Sequence, residues 1–446
     1  MNVHKLDASF AKHFSLAARL GQNSDLKEYT YYGRLRKKHF IAKHSITPWK
    51  AQKEKEMIVS KRVCTKGVRS IAESRALWSA QQKRFSSHEV DQPSSEITSG
   101  AELSSARKYC LDLLRRYDTP SSLLLPYIPS HARDAYVALR AFNIDVARTA
   151  DTTSTPTIGS MRLQFQRDAI TKALAGTPPK QPVALLLAKA ADNIAELTDG
   201  KSNFSKSWFM RIIDTREKYL SNPPYPDIAA VESYAENTYS TLHYLTLQAL
   251  PMASLTADHV ASHIGKATGI AAVLRGLPLI AFPGPPNSHS NQGGQLAGDV
   301  GATRHGAVML PLDIMAGCGV REEDVLRNGA QAHGLRDAVF AVATRANDHL
   351  ITARQMITNV RAGQDAGHEF EHQHEEEHMH FSTKGKGETQ IQEIERAFGV
   401  FMPAVATQIW LDRLQKVDFD IFSDKLRVTD WKLPWKAFWA YNRRSL

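Results

Sequence analysis

Residues 335–361 read LRDAVFAVATRANDHLITARQMITNVR. In this stretch Leu335, Val339, Val342, Ala346, Leu350, Ala353, Ile357 and Val360 recur at steps of three and four, which on a 3.6-residue helix places them on one side. Such a stripe is the mark of a helix face turned to a core, and that reading outweighs any role in holding a cofactor. Outward from it, the same spacing continues from about residue 101, and no stretch shows several strands of strict alternation, so the fold class is all-α. A first helix is expected from Ser104 and Ser105 through Leu111 and Leu114 to Thr119-Pro120. Ser130 is expected to cap a second, from His131 to Ala150. Others are expected over 157–175, 181–199, 203–220, 227–249, 256–277, 310–317, 321–328 and 388–414. Two insertions interrupt the pattern, one rich in Pro, Gly, Asn and Ser at 281–305 and one rich in His, Glu and Gly at 363–387. Both are expected to be mobile surface loops that do not carry the fold.

A chain of 446 residues with 42% hydrophobic content can bury a large core without covalent staples. Cys64, Cys110 and Cys318 have no paired spacing, which supports neither a disulfide framework nor a zinc ribbon and fits a reducing compartment. The longest apolar stretch, 269–286, is broken by Arg275 and prolines and falls short of the roughly 20 residues of a spanning helix. A soluble or peripheral protein is therefore expected. The net charge of +10 is unevenly spread: residues 1–88 hold 19 Lys and Arg against 6 Asp and Glu, and the remainder holds 37 against 40. Without its front segment the chain has no basic body to neutralise phosphates, so nucleic acid is not an expected partner.

That front segment reads as an address. Residues 57–87, MIVSKRVCTKGVRSIAESRALWSAQQKRFSS, contain Glu73 as their only acid and have the composition of a mitochondrial transit peptide. Ile58, Val63, Val68, Ile71 and Leu77 can share one face with Arg and Lys opposite, and Arg84-Phe85-Ser86 resembles a processing site. A disordered basic tail is the alternative. Residues 1–56 show no sustained periodicity and read as an extension or a misplaced start; the basic run 34–38 within them is weak evidence of any target. Residues 88–100 read as a linker, leaving 101–446 as the helical domain.

Particular segments of that domain resemble a known family. Tyr109-Cys110, then Leu125-Pro126, then Ala138-Leu139-Arg140-Ala141-Phe142 resemble the opening of squalene/phytoene synthases, in which the last element leads into the first aspartate-rich motif. Val308-Met309-Leu310-Pro311-Leu312-Asp313, Gly319-Val320 and Glu323-Asp324-Val325-Leu326 are similar to a later family segment. Gly265-Lys266-Ala267 and Leu274-Arg275 occupy the place of its second aspartate-rich helix. The resemblance implies an isoprenoid-synthase-like helical bundle. It also implies a chemistry: paired Asp residues at i and i+4 on each of two facing helices hold Mg²⁺ against a diphosphate leaving group.

The same resemblance places the first pair on Ala147 and Asp151 and the second on Gly276 and Ile280, with the family's Gln and Asn replaced by Gly269 and Ala272. Asp145 falls outside the i,i+4 register, and Pro278 is expected to end its helix early. Three of four expected aspartates are thus missing, which implies a non-catalytic member with no metal and no cofactor. An active prenyltransferase on polyprenyl diphosphates with a rearranged metal site, and a lipid or isoprenoid carrier, are the alternatives. With the transit peptide, the segments 140–143, 157–165 and 263–270 resemble a mitochondrial branch of the family that serves respiratory complex I assembly. That branch implies complex I subunits or assembly intermediates as partners, together with lipid at the inner-membrane surface. It further implies peripheral attachment on the matrix side.

Other motifs carry less. His374-Glu375-Glu376-Glu377-His378 matches H-E-x-x-H, but it sits in a polar, glycine-bordered stretch where no packed amphipathic helix is expected, so a solvated insertion is the better reading. Arg140 and Arg275 could face the former diphosphate pocket and hold an anion or lipid headgroup, or could form ion pairs between core helices. Asp151, near Arg148, reads more readily as a structural residue than as a functional one. In the C-terminal segment Trp431, Trp435, Lys436, Trp439, Arg443 and Arg444 interleave rings with charge. This suits either a membrane interface or a helix packed back on the body.

Overall fold

The computed structural model describes residues 100–446 except Ser154, Ala253, 284–305, 365–388 and Thr429. The extension, the transit segment, the linker up to residue 99, nearly all of both insertions and the histidine-rich motif at 374–378 lie outside the described residues. Every regular element among the described residues is helical. In chain order these are α1 Gly100–Tyr117, α2 Thr119–Leu124, α3 Arg133–Ala147, the single turn α4 Thr149–Thr152, α5 Pro156–Leu174, α6 Pro182–Leu197, α7 Lys206–Lys218 and α8 Ile228–Ala235. They continue with α9 Thr241–Gln248, α10 Leu255–Ala281, α11 Leu312–Cys318, α12 Glu322–Asn328, α13 Leu335–Arg361, α14 Gln390–Phe401, α15 Pro403–Lys416 and α16 Leu433–Arg443.

The stripe on α13 is the core face expected of it: Leu335, Val339, Val342, Ala346, Leu350, Ala353, Ile357 and Val360 are all buried. Several boundaries differ from expectation, each for a local reason. Ser130 opens a short 3₁₀ turn, Ser130–Ala132, and caps nothing; α3 begins at Arg133 without a side-chain cap. The expected helix to residue 150 stops at Ala147 and restarts as α4 after Arg148. The expected 388–414 helix divides at Met402 because Pro403 starts a new helix, the position where a missing N–H costs nothing. Pro278 does not end α10, which runs on to Ala281. In the last turn the lost donor removes a single bond, and the Pro278 carbonyl still accepts from the Phe282 N–H at 3.2 Å.

Helix α10 is the centre of the bundle, packed against α8, α9, α13, α14 and α15. The Ser254 hydroxyl caps it, accepting from the Ala257 N–H at 3.1 Å and donating to Glu393 Oε2 at 2.5 Å. By length and composition α10 is apolar enough to cross a bilayer, which the reading of 269–286 alone had missed because it omitted the helix's first half. Here it is a core helix: Val260, Ile264, Ile270, Leu274 and Leu277 are buried, and so are its polar Asp258, His259, Ser262 and His263. Gly265 and Gly269 let it touch the neighbouring backbone. A Cβ at Gly265 would lie 2.4 Å from Ser240 Cα, and one at Gly269 would lie 2.8 Å from Ala235 Cα.

The element α10 meets there is a π turn, Glu236–Ser240, which divides the expected 227–249 helix into α8 and α9. Glu236 accepts from the Tyr244 hydroxyl at 2.5 Å and the Ser262 hydroxyl at 2.7 Å, with Lys266 Nζ at 3.8 Å. Burial pushes its carboxyl up, but Lys266 and these donors outweigh burial and hold it below the usual range. A second buried chain joins α8, α13 and α10. His349 Nε2 lies 2.9 Å from Glu232 Oε1, and His349 Nδ1 lies 3.0 Å from His263 Nδ1. Burial lowers the His349 pKa in spite of Glu232, so the ring is neutral. It then donates from Nε2 to the carboxylate and accepts at Nδ1 from the His263 N–H.

Candidate functional site: a tyrosine-lined cavity between two helix ends

The end of α3 and the end of α10 form opposing walls of a cavity of about 190 Å³. Ala147 and Asp151 lie on one wall, Gly276 and Ile280 on the other, so the four positions singled out from sequence converge on one place. Asp151 is exposed, on the single turn α4. The break at Arg148 means that Ala147 and Asp151 do not share a continuous helix, contrary to a simple i,i+4 reading. The Arg148 guanidinium lies over the Tyr117 ring, 3.6 Å from its centroid. Asp145 is absent from the cavity wall; its carboxyl is pushed up to about 6 by burial, against the pull of Arg148 and Arg162.

The rest of the lining could not be anticipated. Tyr219 and Tyr225 follow α7, Tyr234 comes from α8 and Tyr239 from the π turn. The rings of Tyr219, Tyr225 and Tyr234 pack together, Tyr219 lying 4.7 Å from Tyr225 in a tilted pair and 5.1 Å from Tyr234 edge-on, between centroids. Asn222, with φ 51°, supplies the left-handed turn that brings the chain after α7 back to the cavity. Beneath the rings is Arg216. Its Nη1 donates to the Tyr234 hydroxyl and its Nη2 to Asn143 Oδ1 at 3.2 Å, while its Nε is buried without a partner. The guanidinium carbon is 5.2 Å from the Tyr234 centroid and 5.5 Å from that of Tyr239. Burial raises the pKa of the Tyr225 and Tyr234 phenols, so both stay neutral.

Neither Arg140 nor Arg275 is among the residues lining this cavity. Arg140 is buried, with its guanidinium 5.3 Å from the Tyr136 centroid and its Nε without a partner. Arg275 is exposed beside Trp410 at 5.6 Å. Among the described residues neither makes an ion pair between helices, so both readings of these arginines give way to Arg216 as the cavity's cation. Helix α16 packs back on the body along one side. Leu433 and Ala437 are buried, and Tyr441 packs 4.9 Å from Tyr127. The opposite side leaves Trp435 64%, Phe438 49% and Trp439 54% exposed, and Trp431, just before the helix, is 73% exposed. Lys432, Lys436 and Arg443 flank these rings, but Arg444 turns inward to Glu395 Oε2 at 3.1 Å and leaves the set. Among the described residues no group of three or more His, Cys, Asp or Glu side chains is placed to hold a metal ion.

The all-helical bundle and the place of this cavity define the class: residues 114–281 and 295–432 match the squalene/phytoene synthase family model, and the chain belongs to that family. The fold is that of a dehydrosqualene synthase solved with a ligand, which aligns with a TM-score of 0.54 and 13% identity over 77% of this chain and 98% of that one. Within the family the chain is similar to proteins named NADH dehydrogenase (ubiquinone) complex I, assembly factor 6. The protein of that name from Bos taurus is 35% identical over 81% of this chain and 89% of its own length. That of Homo sapiens is 34% identical over 80% and 87%. The Drosophila melanogaster homologue is 30% identical over 74% and 82%.

Proposed function

We propose that this chain is a non-catalytic squalene/phytoene synthase homologue that serves the assembly of mitochondrial respiratory complex I. The relatives named for that role support the positive half of the reading, since their similarity runs through most of the domain. The cavity wall carries the negative half. Where the family resemblance expects four carboxylates stand a methyl group at Ala147, an exposed carboxylate at Asp151, no side chain at Gly276 and an aliphatic one at Ile280. Mg²⁺ demands several hard oxygen ligands in near-octahedral array, and a diphosphate demands that its charge be neutralised as it leaves. One exposed carboxylate, Asp151, does not fit that task.

The protein then works by binding. Complex I subunits or assembly intermediates are the partners this reading names, and the matrix face of the inner membrane is the place. The exposed rings of α16 support lipid contact, because tryptophan settles at headgroup depth while Lys432, Lys436 and Arg443 meet anionic lipid. Deleting the gene and resolving native respiratory complexes tests the reading: complex I falls and its assembly intermediates are disturbed, and normal levels of both would refute it. Purified protein with Mg²⁺ and a polyprenyl diphosphate is expected to release no pyrophosphate above a buffer control.

A further inference from the structure

We infer that α16 lies flat between the bundle and an anionic phospholipid bilayer as a rigid part of the fold, and that one row of cations along its flank sets the side the bundle turns to that surface. The inference rests on the reading above that the protein meets lipid through α16; what it adds is the form of the contact and its orientation. It begins with helical phase. Leu433, Ala437, Ala440, Tyr441 and Arg444 fall on one side of the helix and face the body, with Leu433 and Ala437 buried. Trp435, Phe438, Trp439 and Asn442 fall on the opposite side and are exposed. Lys432, Lys436 and Arg443 stand at steps of four and seven, which makes a third row between the other two. Lys432 precedes the helix but keeps its phase, with φ −80° and ψ −15° and its carbonyl accepting from the Lys436 N–H at 2.9 Å. The other flank, at Pro434 and Phe438, carries no charge.

The cations stand at the margin of the rings. The Arg443 guanidinium carbon is 5.1 Å from the Trp439 centroid, and Lys432 Nζ is 5.6 Å from that of Trp431. Rings settled at headgroup depth therefore bring these two charges level with the lipid phosphates. Lys436 Nζ lies 4.0 Å from Asp412 Oδ2, which offsets part of its charge. The helix is also held in place before any lipid arrives. Arg444 Nε meets Glu395 Oε2 at 3.1 Å, Arg361 Nη2 meets Glu395 Oε1 at 2.6 Å, and Arg361 Nη1 donates to the Arg444 carbonyl. Arg354 Nε donates to the Leu446 carbonyl at 3.1 Å, and the Tyr127 and Tyr441 rings pack at 4.9 Å. A helix clamped on one side, ringed on the other and charged along one flank lies on a negative surface with its axis in the plane. The bundle stands directly above it, with the flank of Lys432 and Arg443 drawn towards the phosphates.

The test uses the full chain with Cys64→Ser and Cys318→Ser, since Cys110 is buried, and a nitroxide on Asn442→Cys in the ringed face or on Met161→Cys. Met161 is exposed on α5, which packs against α4, α6 and α7, whereas α16 packs against α2 and α15. On vesicles of phosphatidylcholine mixed with phosphatidylglycerol, spin-label accessibility is expected to place the Asn442→Cys label in lipid and the Met161→Cys label in water. Each cation near an anionic surface contributes about fivefold, less for Lys436 beside Asp412. Lys432→Gln with Lys436→Gln and Arg443→Gln is therefore expected to raise the lipid needed to immerse the Asn442→Cys label by about tenfold or more. A control that removes three exposed lysines elsewhere, Lys172→Gln, Lys180→Gln and Lys201→Gln, is expected to stay within about threefold of the parent. Hydrogen exchange without vesicles is expected to find α16 amides as slow as those of α15. Both labels in the same environment, equal losses from the two triple variants, or α16 amides that exchange freely until vesicles are added would each overturn the inference while leaving lipid attachment standing. No binding of the parent chain to these vesicles would overturn both.

Discussion

Two glycines on α10 should respond in opposite ways to the same added methyl group. At Gly265 the new carbon would sit 2.4 Å from Ser240 Cα and 2.5 Å from Ser240 N. These are backbone atoms of the π turn, so relief requires moving α10 or the turn itself, and overpacking of that kind costs about 1–3 kcal/mol, occasionally more. The gain in helix propensity from Gly to Ala, about 1 kcal/mol, offsets only part of a backbone clash. Gly265→Ala is thus expected to lose up to roughly 2 kcal/mol net, since the clash is with backbone that cannot give way as a side chain does. At Gly276 the methyl group meets only Ile280 Cδ1 at 3.8 Å, an ordinary contact. Gly276→Ala therefore keeps the propensity gain and is expected to stabilise by up to about 1 kcal/mol. Urea unfolding of the full chain, with unchanged slopes, reads both values from the midpoints. The reasoning fails if the two variants shift the midpoint in the same direction by similar amounts.

Acid stability should carry a signature of Glu232. Burial pushes its carboxyl up, but hydrogen bonds from His349 and Arg345 bring it from the ordinary 4.5 down to about 2. A carboxyl depressed in the folded state adds stability above its unfolded pKa, and that contribution, roughly 3 kcal/mol, is lost as pH falls from about 4.5 towards 2. Glu232→Gln should flatten that part of the stability curve measured by denaturation at stepped pH, and an unchanged slope would count against the account. On α16, Trp435→Ala should weaken binding to vesicles rich in anionic lipid by about tenfold with little change in melting temperature, since the ring is 64% exposed. Raising salt should weaken the wild type through Lys432, Lys436 and Arg443. Equal sedimentation of variant and wild type with vesicles would remove α16 as the contact.

The helices were legible because burial imposes a period, and the α13 stripe gave its bounds directly. The interruptions were not. The break at Arg148 and the π turn at 236–240 answer to tertiary contacts, such as Arg148 over Tyr117 and Gly265 against Ser240, that leave no period in the sequence. Pro278 misled because a proline in a last turn costs far less than one in mid-helix. Of the cavity, the two walls at Ala147, Asp151, Gly276 and Ile280 could be read from family register. Its floor could not: Arg216 and four tyrosines arrive from α7, the loop after it, α8 and the π turn, with nothing local to link them. Arg140 and Arg275 looked suitable by type, but helical phase buries one beside Tyr136 and leaves the other by Trp410.

The most direct test of a binding rather than a catalytic role uses Asp151, the one carboxylate at the four motif positions. In cells lacking the gene, expression of Asp151→Asn at wild-type level is predicted to restore complex I and its assembly intermediates as fully as the wild type does. Loss of complex I with normal levels of the variant protein would contradict the account and return a chemical role to that carboxylate.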